Sequence, residues 1–197
     1  MSSNQVMTPQ FSGAYANFLV DGQTNEDGTL VYSLCGIFDE MDGFDPRDPK
    51  SVPNWAKDAV SAAIATGREK KWGGKVPNGL ELPFRDGDAR DQPEFNGCFY
   101  INMKSYKKRC PIVDKNGKAL LQVDSDTIYS GAKYRAVIQF AAYDRKGKKG
   151  VSAYLVAVQK CGEGERKDGG ISESQAENLF GGPASGGAAP EDDSWLN

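Results

Sequence analysis

The chain has 197 residues, of which 39% are hydrophobic and 10% aromatic, with 24 Lys and Arg against 27 Asp and Glu and no histidine. That length accommodates one sizeable core, no apolar run approaches the roughly 20 residues needed to cross a bilayer, and residues 1–10 lack the basic start and apolar stretch of a secretory signal. A cytosolic protein is expected. The missing histidine removes Ser-His-Asp and Cys-His chemistry and the commonest zinc ligand. Cys35, Cys98, Cys110 and Cys161 are scattered without a CxxC pair, which predicts free thiols, no metal and no cofactor.

In chain order, residues 11–20 and 29–38 are rich in β-branched and aromatic side chains and flank the turn-forming residues 21–28, so they predict a hairpin. Trp55, Ala59, Ala62, Ala63 and Ile64 recur at helical spacing, which predicts a short helix over 54–65 ending near Gly67. The Gly-, Pro- and Asp-rich stretch 73–94 reads as a long ordered loop. Three more strands are expected at 98–105, 131–143 and 151–160, with a minor turn over 113–119. In 131–143 the even positions Tyr134, Ala136, Ile138, Phe140 and Ala142 are apolar, whereas Lys133, Arg135 and Gln139 fall on odd ones, the period of a strand with one buried face. Five main strands and one helix fit a mainly β domain over 1–161, an OB-fold five-stranded barrel closing its own edges; a β-sandwich is the second choice.

Charge is partitioned along the chain. Residues 1–99 carry 9 Lys and Arg against 15 Asp and Glu, residues 100–161 carry 13 against 4, and residues 162–197 carry 2 against 8, giving nets of -6, +9 and -6. The basic middle suits a polyanion. Its cations interleave with tyrosines in three patches: Tyr100, Lys104, Tyr106, Lys107, Lys108 and Arg109; Tyr129, Lys133, Tyr134 and Arg135; and Tyr143, Arg145, Lys146, Lys148, Lys149 and Tyr154. Sequence-tolerant binding of single strands needs this combination of cationic track and aromatic faces. Parity assigns Tyr134 to the core and Arg135 and Tyr143 to the opposite face. The four cations of 144–150 crowd a single connection between strands, where mutual repulsion calls for an anion. Phe84 and Arg85, in the long loop, are placed to stack on a base and clamp a phosphate.

Past Cys161 the composition turns to Gly, Ser, Pro and acid, too polar to order itself. Residues 162–197 are read as a flexible acidic tail ending in Glu191, Asp192, Asp193, Ser194, Trp195, Leu196 and Asn197, an acidic-aromatic peptide suited to a partner pocket.

The blocks Leu82-Pro83-Phe84-Arg85-Asp86-Gly87-Asp88, Pro111-Ile112-Val113-Asp114, Ile128-Tyr129-Ser130-Gly131 and Phe140-Ala141-Ala142-Tyr143, the last running through Gly147 and Gly150-Val151 to Val158-Gln159-Lys160, occur in one order over about residues 80–161. In this they resemble a phage single-stranded-DNA-binding replication family with an OB-fold. The resemblance implies binding without catalysis in DNA replication and recombination, in the host cytoplasm. It also implies an acidic tail that recruits replication proteins (polymerase, helicase or nuclease) and competes for the DNA groove. It is less clear over the first hundred residues, and the tail ends Trp195-Leu196-Asn197 where such tails usually end on phenylalanine. A homodimer is allowed for; no membrane partner is expected.

Three other functions fit parts of the pattern. An RNA-binding OB module would use the same stacking and phosphate contacts. A metal-dependent nuclease would need clustered carboxylates, for which Asp86, Asp88, Asp91 and Glu94 are the candidates. A virion structural β-sandwich would need no basic middle.

Overall fold

The alternation in 131–143 is realised as one arm of a long terminal hairpin. The computed structural model describes residues 2–167. Along them lie strands β1 (Gln5–Met7), β2 (Phe11–Ala14), β3 (Gln23–Thr24), β4 (Leu30–Phe38), β5 (Phe84–Asp86), β6 (Phe99–Tyr106), β7 (Ile112–Val113), β8 (Lys133–Arg145) and β9 (Lys148–Gly162), with helices α1 (Asn17–Val20) and α2 (Lys57–Lys70). Tyr134, Ala136, Ile138, Phe140 and Ala142 of β8 are all buried, as are Val151, Ala153 and Leu155 of β9, because alternate side chains of a strand point to one face. The register shifts between Val137 and Ile138, which leaves Val156 exposed and brings Val158 inward, the parity change a β-bulge produces.

All the described strands join one sheet, in place of the two sheets of a sandwich. β2 pairs antiparallel with β4, and β4 with β6; β6 runs parallel to β9; β9 pairs antiparallel with β8, and β8 with β2. The pairing therefore returns to its starting strand. β1 adds to β8, β3 to β4, β5 to β6 and β7 to β9. Inside lie Phe11, Leu34, Ile101, Met103, Tyr134, Ile138 and Phe140. At one end an aromatic cluster closes the core: Phe38 stacks on Phe99 at 4.9 Å, Trp55 lies 5.7 Å from Phe38, and Phe44 lies 5.0 Å from Phe99.

Several expected boundaries move. The predicted strand 11–20 stops at Ala14, since Tyr15 takes a positive φ of 54° and the chain turns into α1. The helix begins as a 3₁₀ turn over Asn54–Ala56 and continues past Gly67 to Lys70. The loop 73–94 holds β5 and a 3₁₀ turn at Pro93–Phe95. The seven-residue connection expected between the last two strands is a two-residue turn at Lys146 and Gly147, with φ of 50° and 78°, the left-handed pair that a tight hairpin requires. β9 runs to Gly162, and beyond it the Lys167 N–H donates to the Ser130 carbonyl at 2.8 Å. The four cysteines are free, and burial pushes the Cys35 and Cys110 thiols up to about 12 and about 11.

Gly67 does not end the helix because it is a contact point. A Cβ there would lie 2.6 Å from the Ala142 Cβ on β8 and 2.6 Å from the Trp72 ring. Alanine gains about 1 kcal/mol in helix propensity, but overpacking costs about 1–3 kcal/mol. Gly67→Ala is therefore expected to lower stability by about 1 kcal/mol in urea unfolding; a gain in stability would show that α2 does not seat closely on β8.

Candidate nucleic-acid interface

Because Phe99, Ile101 and Met103 of β6 are buried, the residues between and after them, Tyr100, Asn102, Lys104 and Tyr106, point outward. Lys104 lies in register with Tyr154 of the parallel neighbour β9, and the Tyr106 and Tyr154 rings approach to 5.8 Å at 48°. Tyr106, Tyr143 and Tyr154 line a depression of about 550 Å³ with Arg145, Lys146, Lys148 and Ser152. It continues into a second depression of about 230 Å³, which shares the three tyrosines and adds Arg85, Asn102 and Lys104. Together they form one trough holding three aromatic rings and five cations drawn from four strands and a hairpin turn.

The hairpin turn and a carboxylate order this trough. Expectation had the four cations of 144–150 crowded in one loop; instead Asp144 pairs with Lys149 and Arg145 with Lys148 in the ladder, which distributes them along a ribbon. The Asp144–Lys149 ion pair, at 3.3 Å, removes Lys149 from the trough. Glu81 forms a bridge with Gly150, its N–H donating to the Lys149 carbonyl at 3.0 Å and its carbonyl accepting from Val151 N–H at 2.8 Å. Only glycine fits at 150, since a Cβ would lie 2.4 Å from the Glu81 carbonyl oxygen and 2.6 Å from the Tyr143 hydroxyl. The Tyr143 hydroxyl donates to Glu81 Oε2 at 2.6 Å, and Lys148 Nζ lies 3.4 Å from Glu81 Oε1. Burial and the adjacent carboxylate push the Tyr143 phenol up to about 12, while the Tyr143 hydrogen bond and Lys148 hold Glu81 below the ordinary carboxylate range. Behind, the Trp72 indole N–H donates to the Tyr143 carbonyl at 3.1 Å and ties the residues following α2 to this strand. Arg85 donates to the carbonyls of Leu82 and Phe84, which fixes its guanidinium at the rim.

Other expected site residues lie elsewhere. Phe84 is not displayed for stacking: it is 5% exposed and packs 5.9 Å from Phe140, because β5 pairs with β6 and turns this ring inward. Tyr129 is 7% exposed, with Lys160 and Arg166 over its ring at 5.1 and 4.4 Å and its hydroxyl donating to Glu163 at 2.6 Å. Tyr134 is buried, as parity predicts. Lys133 donates to Ser12 Oγ at 2.7 Å, and Arg135 lies exposed beside Met7; ten residues of strand, about 33 Å, separate Lys133 from Tyr143. The second patch is thus not part of the trough. Lys107 and Lys108 are exposed beyond Tyr106, but Arg109 donates to the Val20 carbonyl at 3.1 Å and closes α1. Tyr100 faces out under the guanidinium of Arg90, 4.6 Å from its ring.

Two of the four carboxylates proposed for a nuclease, Asp86 and Asp88, serve turns. Asp86 accepts from the Asp88 N–H at 3.0 Å and Asp88 from the Gly97 N–H at 2.7 Å, and among the described residues no group of three or more His, Cys, Asp or Glu is placed to hold a metal ion. A larger cavity of about 890 Å³ is walled by Asp39, Glu94 and Glu165 as well as Lys133 and Lys167, so its charges offset and it suits a polyanion less than the trough does. No helix among the described residues is long and apolar enough to cross a membrane.

Residues 6–193 match the model of the family described as Enterobacter phage Enc34, ssDNA-binding protein. The chain belongs to this family. Protein p50 of Acyrthosiphon pisum secondary endosymbiont phage 1 is 32% identical over 131 residues, 62% of this chain and 69% of that one. The single-stranded DNA-binding protein of bacteriophage Enc34, solved in complex with ssDNA, superposes with a TM-score of 0.61 at 23% identity over 84% of this chain and 90% of that one. The single-stranded DNA-binding protein gp2.5 of bacteriophage T7 superposes with a TM-score of 0.53 at 16% identity over 88% of this chain and 99% of that one. At these identities the superpositions establish a shared fold.

For this member of the Enc34 family, sequence reasoning missed Glu81. It belongs to no cation–aromatic run, and only the tertiary pairing of the long loop with β9 brings it to the trough. The tail residues Glu191, Asp192, Asp193, Trp195 and Leu196 lie outside the described residues. The Tyr143–Glu81 contact is directly testable. By ¹³C NMR the Glu81 carboxyl is expected to titrate below its ordinary value of 4.5, and Tyr143→Phe to move that midpoint upward; an unmoved midpoint would mean that the hydroxyl does not hold the carboxylate.

Proposed function

We propose that this chain binds single-stranded DNA without sequence preference in phage DNA replication and recombination, acting in the host cytoplasm. β2, β4, β6, β8 and β9 serve as the strands of an OB-type barrel, and the trough seats the DNA. The observation that carries this reading is the convergence of Tyr106, Tyr143 and Tyr154 with Arg85, Lys104, Arg145, Lys146 and Lys148 in one depression. Phosphates run along the cations while bases stack on the exposed tyrosine faces, a combination indifferent to base identity because every base has a π-face. Among the described residues Lys104, Arg145 and Lys146 make no ion pair, so they meet phosphate without first giving up a carboxylate. The family membership and the parallel β6–β9 pairing both support the reading.

In this proposal the acidic residues Glu191, Asp192 and Asp193 compete with phosphate for the trough, from a tether that keeps them at high local concentration. Trp195 and Leu196 offer an apolar anchor to replication proteins such as a polymerase, helicase or nuclease.

Fluorescence anisotropy of labelled dT strands tests the trough. Affinity is expected to fall with salt at a log-log slope of about -3.5, from roughly 0.7 per contact over about five phosphates. Tyr154→Ala and Tyr106→Ala are each expected to lose about 1–3 kcal/mol. A slope near zero, or equal affinity for duplex, would overturn the proposal; equal affinity for rU strands would assign the trough to RNA as well. Truncation after Lys167, which leaves the packed 163–167 segment intact, is expected to tighten DNA binding. Unchanged or weaker binding would count against competition by the tail.

A further inference from the structure

At the other end of the outward face of β6 lies a second cation–aromatic group. The Arg90 guanidinium is 4.6 Å from the centroid of Tyr100, 4.9 Å from Phe95 and 5.8 Å from Tyr15. Its Nη1 donates to the Tyr15 hydroxyl at 3.1 Å, which also accepts from Gln92 Nε2 at 3.3 Å. Phe95 is fully buried, meets Tyr100 edge-on at 5.2 Å, and packs with Ala14, Cys35 and Ile37 in a small cluster of its own. The guanidinium thus rests on a fixed aromatic platform. Among the described residues it has no ion pair. Holding an arginine still gives up about 2 kcal/mol of side-chain freedom, and here no carboxylate offsets that loss. Tyr15 is exposed, and its positive φ of 54° is a conformation non-glycine residues seldom adopt.

The register joins this group to the trough. Ile37 lies opposite Tyr100, Cys35 opposite Asn102 and Ser33 opposite Lys104, so one outward strip of β4 and β6 runs from Arg90 to Tyr106, about 20 Å over six residues. Asn102 and Lys104 stand between the two ends.

We propose that Tyr15 and Arg90 form a second seat for the same single strand, Arg90 taking a phosphate and the exposed Tyr15 ring a base, while Tyr100 and Phe95 hold the guanidinium in place. This rests on the trough being the first seat. The cations of the hairpin and Arg90 then mark the two ends of one track, and strands long enough to reach both bind more tightly than strands that fill the trough alone.

The test is anisotropy with dT strands from about four to about sixteen nucleotides, using the full chain, Arg90→Gln and Tyr15→Asn. Asparagine tolerates the positive φ while removing the ring. The wild-type chain should gain affinity with length beyond the shortest strands. Both variants should bind short strands as wild type does and lose about tenfold on long ones. Arg90→Gln should also flatten the salt slope on long strands by about 0.7, and Tyr15→Asn should leave it unchanged. The second seat is overturned if wild-type affinity gains nothing with length, if both variants match wild type on long strands, or if they lose short and long strands alike, the mark of a purely structural role. A wild-type chain that binds no strand at all would overturn the trough itself, a different result from normal short-strand binding without the length effect.

Discussion

Burial of Phe99, Ile101 and Met103 on the inner face of β6 is the constraint on which the proposed binding face depends. A strand cannot turn three large side chains inward at alternate positions without turning the intervening ones out, and here those are Tyr100, Asn102, Lys104 and Tyr106. Slipping β6 by one residue would bury Lys104 and expose Ile101 and Met103 together. The hydrophobic term that sets the register therefore also sets which groups meet solvent. The paired positions on β4 and the parallel neighbour β9 extend the same face sideways, so the proposed interface is the outer side of a sheet whose inner side is the core.

The hairpin of β8 and β9 gives that face its charge, and its immediate surroundings keep the charge tolerable. Arg145, Lys146, Lys148 and Lys149 would repel one another in a compact loop. The two-residue turn spreads them along a ribbon, Asp144 neutralises Lys149, and Glu81 sits against Lys148. These exposed pairs contribute little stability; their effect is on where positive potential remains, which is at Lys104, Arg145 and Lys146. Tyr143 is the junction. Its hydroxyl is held by Glu81 and its carbonyl by the Trp72 indole, while Gly67 lets α2 approach the same strand at Ala142. A ring fixed from both sides loses less freedom when a base stacks on it. The long loop, which supplies Glu81 and Arg85, thereby joins the trough.

The sequence by itself determined the mainly β character, the core face of β8, the free thiols, the segregation of positive charge into 100–161 and the resemblance to a phage single-stranded-DNA-binding family. The resemblance rests on four motif blocks in order; the rest follows from composition and from a period of two, which are local properties. It also named nearly all the residues of the trough, because Lys104, Tyr106, Tyr143, Arg145, Lys146, Lys148 and Tyr154 stand in dense runs. Tertiary structure decided which members of those runs act together. Phe84 and Tyr129 look displayed in sequence and are core, since a loop ring next to an arginine reads the same whether it is covered or not; β5 pairing with β6 and the packing of 163–167 are contacts distant in the chain. Lys133 shares parity with Tyr143 but lies a strand's length away. Glu81, Tyr15 and Arg90 carried no local signal at all, because their roles come from strand pairing and ring packing across 60 or more residues for Glu81 with Tyr143 and Tyr15 with Arg90. Periodicity along one strand fixes a side chain's face, whereas its neighbours on that face are set by which strands lie alongside.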